Sequence, residues 1–244
     1  MHVKVLDDEV VSLAKRRGMD AVVYAPHFSR LPEIRERARR FSDDDLLVVP
    51  AREVFAGDWR SRKHVLALGL SEPVPDFITL EAAIEEFQRQ DATVLVPHPT
   101  YLSIGLSAID VHRYRDAIDG IELYNPKFLP WHARRARDVL ETVDRQPFAS
   151  SYAHLSDTVG MAWTEFENPV DDGPGLIDAI ENGEVERVVR RNGPRYRRRQ
   201  LAELGHLVYE NTWEKLDRLF LSGTEPTHPR HIAYEGRFED ASVY

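Results

Sequence analysis

Five of the ten histidines in this 244-residue chain lie in or beside short apolar runs that are typical of β-strands. They are His2, His27, His64, His98 and His154. A carboxylate, Glu53, closes another such run. Imidazole nitrogens and a carboxylate oxygen are the donors that Zn²⁺, Mn²⁺ and Fe²⁺ accept in proteins. A single histidine at a strand end is more often a hydrogen-bonded structural residue, but the whole set predicts a divalent-metal site.

The elements that must position these side chains alternate between β-rich runs and helical patterns, as in a parallel sheet with crossover helices. We predict strands at 21–25, 46–50, 64–70, 93–97, 120–124, 148–152 and 162–166, with a stub at 2–5. We predict helices at 7–17, 31–41, 79–90, 107–118 and 131–143, with Thr79 and Ser107 as N-caps. The pattern indicates an α/β fold of the TIM-like barrel type. The carboxyl ends of barrel strands converge on one mouth, so these distant residues would meet there.

The pattern changes after Asn168, where residues 169–174 form a turn-rich break. We therefore predict a metal-binding barrel core over residues 1–168 and a C-terminal extension over residues 169–244. The extension should be helical at 176–180 and 201–221, and then irregular from 222 to 244, packed on the core.

Composition limits the classes of function. The chain has no cysteine, which excludes disulfides and thiolate ligands. Its formal charge of −9 disfavours general nucleic-acid binding. No apolar run has the length of a membrane span and the N-terminus has no signal-peptide pattern, so we expect a cytoplasmic protein without a membrane partner. The oligomeric state is left open.

Several short motifs together resemble the PHP (polymerase and histidinol phosphatase) domain family over about residues 1–166. His2-Val3-Lys4 is similar to the opening His-x-His, and Ala25-Pro26-His27 to the Thr-Asp-His segment. Ala51-Arg52-Glu53 is similar to Gly-x-Glu, and Lys63-His64 to the next histidine. Pro97-His98-Pro99 matches His-Pro, and Ser151-Tyr152-Ala153-His154 is similar to Ser-Asp-Ala-His. The region after Asn168 resembles a C-terminal segment that some members carry.

The resemblance implies a distorted (β/α)7 barrel that binds up to three divalent metals and hydrolyses phosphoesters. Of the three metal positions, the one built from Glu53, His64 and His98 is complete. A second keeps His27 and His154, and a third keeps only His2 and Glu53. The resemblance thus implies one complete site for Zn²⁺, Mn²⁺ or Fe²⁺, with a second site left open.

Three residues depart from the family pattern. Lys4 stands where a second histidine is expected, Pro26 where an aspartate is usual, and Tyr152 where a metal-binding aspartate belongs. We hypothesise that the Lys4 ammonium supplies positive charge at the depleted metal position. The alternative is that Lys4 points to solvent. Tyr152 could donate a hydrogen bond to a substrate phosphate.

The sequence therefore predicts a metal-dependent phosphoesterase in which a metal-activated water attacks a small phosphorylated substrate. Glu53, Lys4 and Tyr152 would carry the catalysis, and Arg52 and Lys127 are candidate phosphate contacts, with rim packing or surface charge as their alternative interpretation. The main rival function is a degenerate barrel that binds metal or phosphate without turnover. A hydrolase of the amidohydrolase type is a third interpretation.

Two further features are weaker signals. The basic stretch between Arg187 and Arg199 could bind a nucleic-acid backbone, but we favour a face that pairs with acidic residues of the same protein. His228 and His231 could reach over the mouth from the tail, whereas His112 and His132 fall within helical patterns.

Overall fold

The computed structural model describes residues 2–58, 61–153, 156–209 and 226–243, with side chains on the C-terminal helix as far as His206. Its strands are β1 (His2–Val3), β2 (Ala21–Tyr24), β3 (Leu47–Ala56), β4 (Lys63–Leu68), β5 (Thr93–Val96), β6 (Gly120–Tyr124), β7 (Gln146–Ala149), β8 (Ala162–Phe166) and β9 (Val185–Arg190). Its α-helices are α1 (Asp8–Arg16), α2 (Leu31–Phe41), α3 (Leu80–Arg89), α4 (Ala108–Arg113), α5 (Pro130–Val143), α6 (Gly173–Glu181) and α7 (Pro194–Tyr209). No helix among these residues is both long and apolar enough to cross a bilayer.

Seven strands form one curled sheet in the order β1 to β7. The chain immediately after β7 returns to β1. There, the backbone N–H of Lys4 donates to the carbonyl of Ala153 at 3.1 Å, and that of Tyr152 donates to the carbonyl of His2 at 3.0 Å. The sheet and its helices form a mixed α/β fold consistent with a distorted TIM-like barrel.

The sheet is not uniformly parallel as the alternating pattern predicted. Strand β4 runs antiparallel to both β3 and β5. The connection between β3 and β4 covers only residues 57–62, which suits a hairpin and is too short for the helical crossover that parallel strands need. As a result, the amino end of β4 lies at the same edge of the sheet as the carboxyl ends of the parallel strands.

The predicted strand at 162–166 exists, but its placement in the barrel was wrong. As β8 it pairs antiparallel with β9 in a separate two-stranded sheet. Hydrophobic pattern identifies a strand without identifying its partner. Strand β9 overlaps the start of the basic stretch and was not predicted.

Helix boundaries follow local capping. Thr79 and Ser107 accept hydrogen bonds from the backbone N–H groups of Ala82 and Asp110, as expected of N-caps. Helix α4 is shorter than predicted, because the chain passes after Tyr114 into a 3₁₀ turn at Arg115–Ala117.

Strand alternation divides the core into two layers. Val54, Val65 and Val94 face the surrounding helices, whereas Ala51, Leu66 and Leu95 face the interior together with Leu176 and Ile180 of α6. Thr93, at the amino end of β5, donates a 2.7 Å hydrogen bond to Glu181 of α6. Helix α6 therefore covers the end of the interior opposite to the strands' carboxyl ends.

The described part of the C-terminal tail packs on the segment after β4. Asp76 donates a backbone hydrogen bond to Thr227 at 2.8 Å, and Val243 donates one to Phe77 at 3.0 Å. Tyr234 joins the outer core layer. The predicted helix at 201–221 begins earlier, at Pro194, and its residues from 210 onward lie outside the described ranges.

Candidate metal centre

Three side chains from neighbouring strands meet at the mouth of the curled sheet. Glu53 faces inward from β3, His64 is the second residue of β4, and His98 follows β5 by two residues. His64 Nδ1 lies 2.8 Å from Glu53 Oε1, and His98 Nε2 lies 3.5 Å from the same oxygen. One donor atom from each lies within 4.8 Å of the other two. All three are buried, and together they could hold a metal ion.

The chemistry of these donors fits a divalent cation. Burial, and then the charges of Lys4 and Lys127, lower the pKa of His98 to about 3, so its imidazole is neutral at physiological pH. Both ring nitrogens of His98 are buried, and neither makes a hydrogen bond with the described residues. A neutral imidazole has one N–H donor and one lone pair, and burying both without partners is costly; a metal ion would be a partner for the lone pair.

The Lys4 ammonium lies against the other oxygen of Glu53. Lys4 Nζ donates to Glu53 Oε2 and also to the carbonyl of Ala25, the latter at 2.8 Å. His2 Nε2 is 3.7 Å from the same carboxylate oxygen. The alternative in which Lys4 points to solvent is therefore wrong. The two carboxylate oxygens of Glu53 therefore have different neighbours. Oε1 faces His64 and His98, whereas Oε2 faces Lys4 and His2.

Burial lowers the pKa of the Lys4 ammonium well below its usual range, and the nearby Lys127 lowers it further. The carboxylates of Glu122 and Asp76 oppose this by favouring the charged form. Burial and the Lys4 charge also lower the pKa of His2, which is thus neutral.

Tyr152 occupies the centre of the mouth. Its hydroxyl donates to Glu53 Oε1 at 3.2 Å, and its ring meets the His98 ring edge-on at 5.2 Å between centroids. Lys4 Nζ and Lys127 Nζ lie 5.1 and 4.3 Å from the ring centroid. A φ of 43° places Tyr152 in the left-handed region, which is unusual for an aromatic residue. Its neighbours therefore hold the ring where the family pattern has a carboxylate.

The second predicted metal position is seen only in part. The His27 ring lies 4.8 Å from the Phe55 ring and 5.9 Å from the His64 ring. His154, its predicted co-ligand, lies outside the described residues, so a metal at this position stays a prediction.

The structure does not support Arg52 as a phosphate contact. Arg52 neighbours Glu53 on β3, so alternation turns its side chain to the opposite face of the sheet. The guanidinium is fully buried and donates to Asp76 Oδ1 at 3.0 Å and to the carbonyl of Val74 at 3.4 Å. Arg52 joins β3 to the segment after β4, and it is removed from the mouth.

Lys127 is buried in the mouth, which contradicts its alternative interpretation as a surface charge. Its ammonium lies 3.6 Å from Glu203 Oε2. Glu203, on α7, is fully buried and accepts a hydrogen bond from Thr158. Sequence reasoning missed Glu203, although it is the one acid in the strongly basic sequence of α7.

Glu122, on β6, supports the metal centre from behind. It accepts hydrogen bonds from the backbone N–H of His98 at 2.7 Å, from Asn125 at 2.8 Å, and from Ser150. Burial raises the pKa of Glu122 to about 7, against the effect of these hydrogen bonds. An inward-facing acid in an apolar strand was the available sequence signal.

The remaining histidines have other neighbours. The His228 ring lies beside Phe77, at 6.2 Å between centroids, and His231 caps a 3₁₀ helix at Ile232–Tyr234. The His132 ring packs against Tyr101 at 4.6 Å. Among the described residues, the cluster of possible metal ligands contains none of these three.

Four arginines of the basic stretch have partners within the chain. Arg187 pairs with Glu165, Arg190 lies over Tyr124, Arg191 lies over Trp163, and Arg199 pairs with Asp157. These contacts favour the interpretation of an internally paired face, and nucleic-acid binding stays an untested possibility.

A family model described as PHP-associated matches residues 130–185. This range crosses the boundary predicted at residue 168. The comparison with curated proteins finds no match.

Solved structures share the fold at low sequence identity. PsfC from Pseudomonas syringae PB-5123 is 17% identical with a TM-score of 0.63, over 86% of this chain and 96% of that chain. A candidate metal-dependent phosphoesterase from Bifidobacterium adolescentis ATCC 15703 is 13% identical with a TM-score of 0.51, over 75% and 94%. An amidohydrolase from Chromobacterium violaceum, with bound sulfate and no metal, is 12% identical with a TM-score of 0.53, over 78% and 96%. At these identities the likeness shows the fold alone.

Proposed function

We propose that this chain, a member of the PHP family by its PHP-associated segment and its fold, is a metal-dependent phosphoesterase. The observation that carries the proposal is the buried cluster of Glu53, His64 and His98, whose donor atoms lie close enough to share one cation. A divalent ion held there would supply Lewis-acid polarisation of a phosphoryl oxygen and would lower the pKa of a coordinated water.

Glu53 serves two cations in this proposal. Its Oε1 faces the two histidines, and its Oε2 is bound by the Lys4 ammonium. Lys4 thereby provides a fixed positive charge beside the metal position, in a buried site where such charges act strongly on a developing oxyanion. We infer that Lys4 takes the place of a second metal ion, which leaves one metal at this cluster.

Tyr152 and Lys127 provide the donors for the substrate. The Tyr152 hydroxyl lies beside the Glu53 oxygen that faces the histidines, and the Lys127 ammonium lies over the Tyr152 ring. A phosphate at this side of the mouth would meet the Lys127 N–H donor, and it would accept the Tyr152 O–H once a metal ion binds Glu53 Oε1. Their role is to orient the phosphate and to offset its charge.

The rival function, a binding module without turnover, is favoured by one specific observation. Lys4 and Tyr152, which replace two family ligands, both donate directly to Glu53. These donors compete with a metal for the same carboxylate, so they would weaken metal binding.

Metal analysis and an ester assay distinguish the two functions. The purified protein should retain one equivalent of metal by elemental analysis, and it should hydrolyse p-nitrophenyl phosphate or its diester with added Mn²⁺ or Zn²⁺. His98→Ala should lose both metal and activity, whereas His112→Ala, an exposed histidine on α4, should lose neither. Retained metal without hydrolysis of monoesters or diesters would identify the binding module.

A further inference from the structure

Three lysine or arginine side chains are buried in the described part of the chain, and each faces one fully buried carboxylate. The pairs are Lys4 with Glu53, Arg52 with Asp76, and Lys127 with Glu203. The first two pairs lie within the first part of the barrel, between β1 and the segment after β4. The third differs, because its carboxylate comes from α7, far along the chain from the strands that form the mouth.

Glu203 reaches the mouth because α7 is docked on the loops that follow β6 and β7. Gln200 donates to the carbonyl of Phe128 at 3.2 Å, and Arg199 pairs with Asp157 at 3.3 Å. Thr158 donates to the other Glu203 oxygen, so that carboxylate is held in place from two sides. The Lys127 ammonium is thus placed between Glu203 and the face of the Tyr152 ring.

We propose that Glu203 is a positioning residue that lowers the affinity of the mouth for the substrate's phosphate. It does so by holding the Lys127 ammonium in an ion pair. The inference rests on the proposed function, since Lys127 is one of its two phosphate donors. A phosphate oxygen that contacts Lys127 must come within a few ångströms of the Glu203 carboxylate. Like charges at that separation in a buried site repel each other, which weakens phosphate binding. Helix α7 therefore restrains anion binding instead of merely covering the mouth.

The proposal predicts the opposite sign from a structural role. Removing the Glu203 charge should tighten phosphate binding, because Lys127 becomes available to the anion. If Glu203 only supported the fold, its loss would disturb the mouth and weaken binding. The Glu203→Gln variant, which keeps shape and removes charge, separates these outcomes.

The test measures the Kd of inorganic phosphate by calorimetry in the presence of Mn²⁺. Glu203→Gln should bind about tenfold more tightly than the unaltered protein. Glu85→Gln removes the same charge from an exposed position on α3 and should leave the Kd unchanged. Adding Lys127→Met to Glu203→Gln should abolish the gain. Unchanged or weaker phosphate binding by Glu203→Gln would overturn the proposal, as would a gain that survives Lys127→Met.

Two additions keep the test independent of folding and of catalysis. If Glu203→Gln does not fold, Glu203→Ser also removes the charge and must shift the Kd in the same direction. With p-nitrophenyl phosphate, the gain should lower KM more than it changes kcat. Should the protein hydrolyse no ester while Glu203→Gln still tightens phosphate binding through Lys127, the proposed phosphoesterase fails and the role of Glu203 stands.

Discussion

Replacement of Lys4 by methionine tests whether the Glu53 carboxylate binds two cations, the Lys4 ammonium through Oε2 and a metal ion through Oε1. The variant keeps most of the side chain's volume and removes the ammonium that contacts Glu53 Oε2 and the Ala25 carbonyl. Both members of the pair are buried, so the remaining carboxylate would be left without its closest positive charge. Breaking a buried ion pair from one side costs roughly 3–5 kcal/mol. We expect a loss of this size in the free energy of unfolding of the metal-free protein.

A divalent metal should recover much of this loss, because it binds the same carboxylate from the other oxygen. The assay is urea unfolding of Lys4→Met and of the unaltered protein, each with chelator and with saturating Mn²⁺. The gain in stability from Mn²⁺ should be larger in the variant. Lys63→Met, whose ammonium binds the carbonyl of Gly105, is the matched control and should show no enhanced metal effect.

Equal stability of the two metal-free proteins would refute this reasoning, since it would mean that Lys4 does not compensate Glu53. A smaller metal effect in Lys4→Met would refute the idea that ammonium and metal share the carboxylate. In Lys4→His, which places an imidazole at the depleted position, the metal content should rise above one equivalent by elemental analysis.

Other predictions follow from single contacts. The raised pKa of Glu122, about 7, means that the folded protein holds a proton that the unfolded chain releases, so stability should fall as the pH rises from about 4.5 to 7. Glu122→Gln should remove this slope, worth about 3 kcal/mol, in unfolding experiments across that pH range. Arg52→Met should destabilise the protein by roughly 3 kcal/mol, by leaving Asp76 unpaired, without changing the Kd for phosphate. Gly105→Ala would place a methyl group against the His98 carbonyl oxygen, so we expect weaker metal binding in calorimetry and a loss of about 1–3 kcal/mol in stability.

The sequence was most informative where a residue type and a strand position together restrict the geometry. The ends of the apolar runs identified Glu53, His64 and His98, and these three do meet. The prediction of His64 did not include the direction of its strand. His64 lies near the start of β4, and it reaches the mouth only because β4 runs antiparallel to its neighbours. The hydrophobic pattern of a strand does not indicate its direction in the sheet. Here the direction of β4 is indicated by the short connection after β3, which is too short for a parallel crossover.

Other features depend on contacts between distant segments, which periodicity does not report. Arg52 was a candidate phosphate contact because it lies beside a predicted strand end, although alternation along β3 turns its side chain to the face opposite that of Glu53. Glu203 lies in a helix whose arginines dominate its composition, so nothing local linked it to Lys127. The partner of β8 also lies outside the barrel and could not be read from its own five residues.

The reversed strand β4 makes the metal centre sensitive to the length of one surface turn. His64 lies opposite Phe55 in the β3–β4 pairing, and that register directs its imidazole inward. A slip of one residue would turn every side chain of β4 to the other face of the sheet. Insertions or deletions of a single residue between positions 57 and 62 should thus be poorly tolerated here.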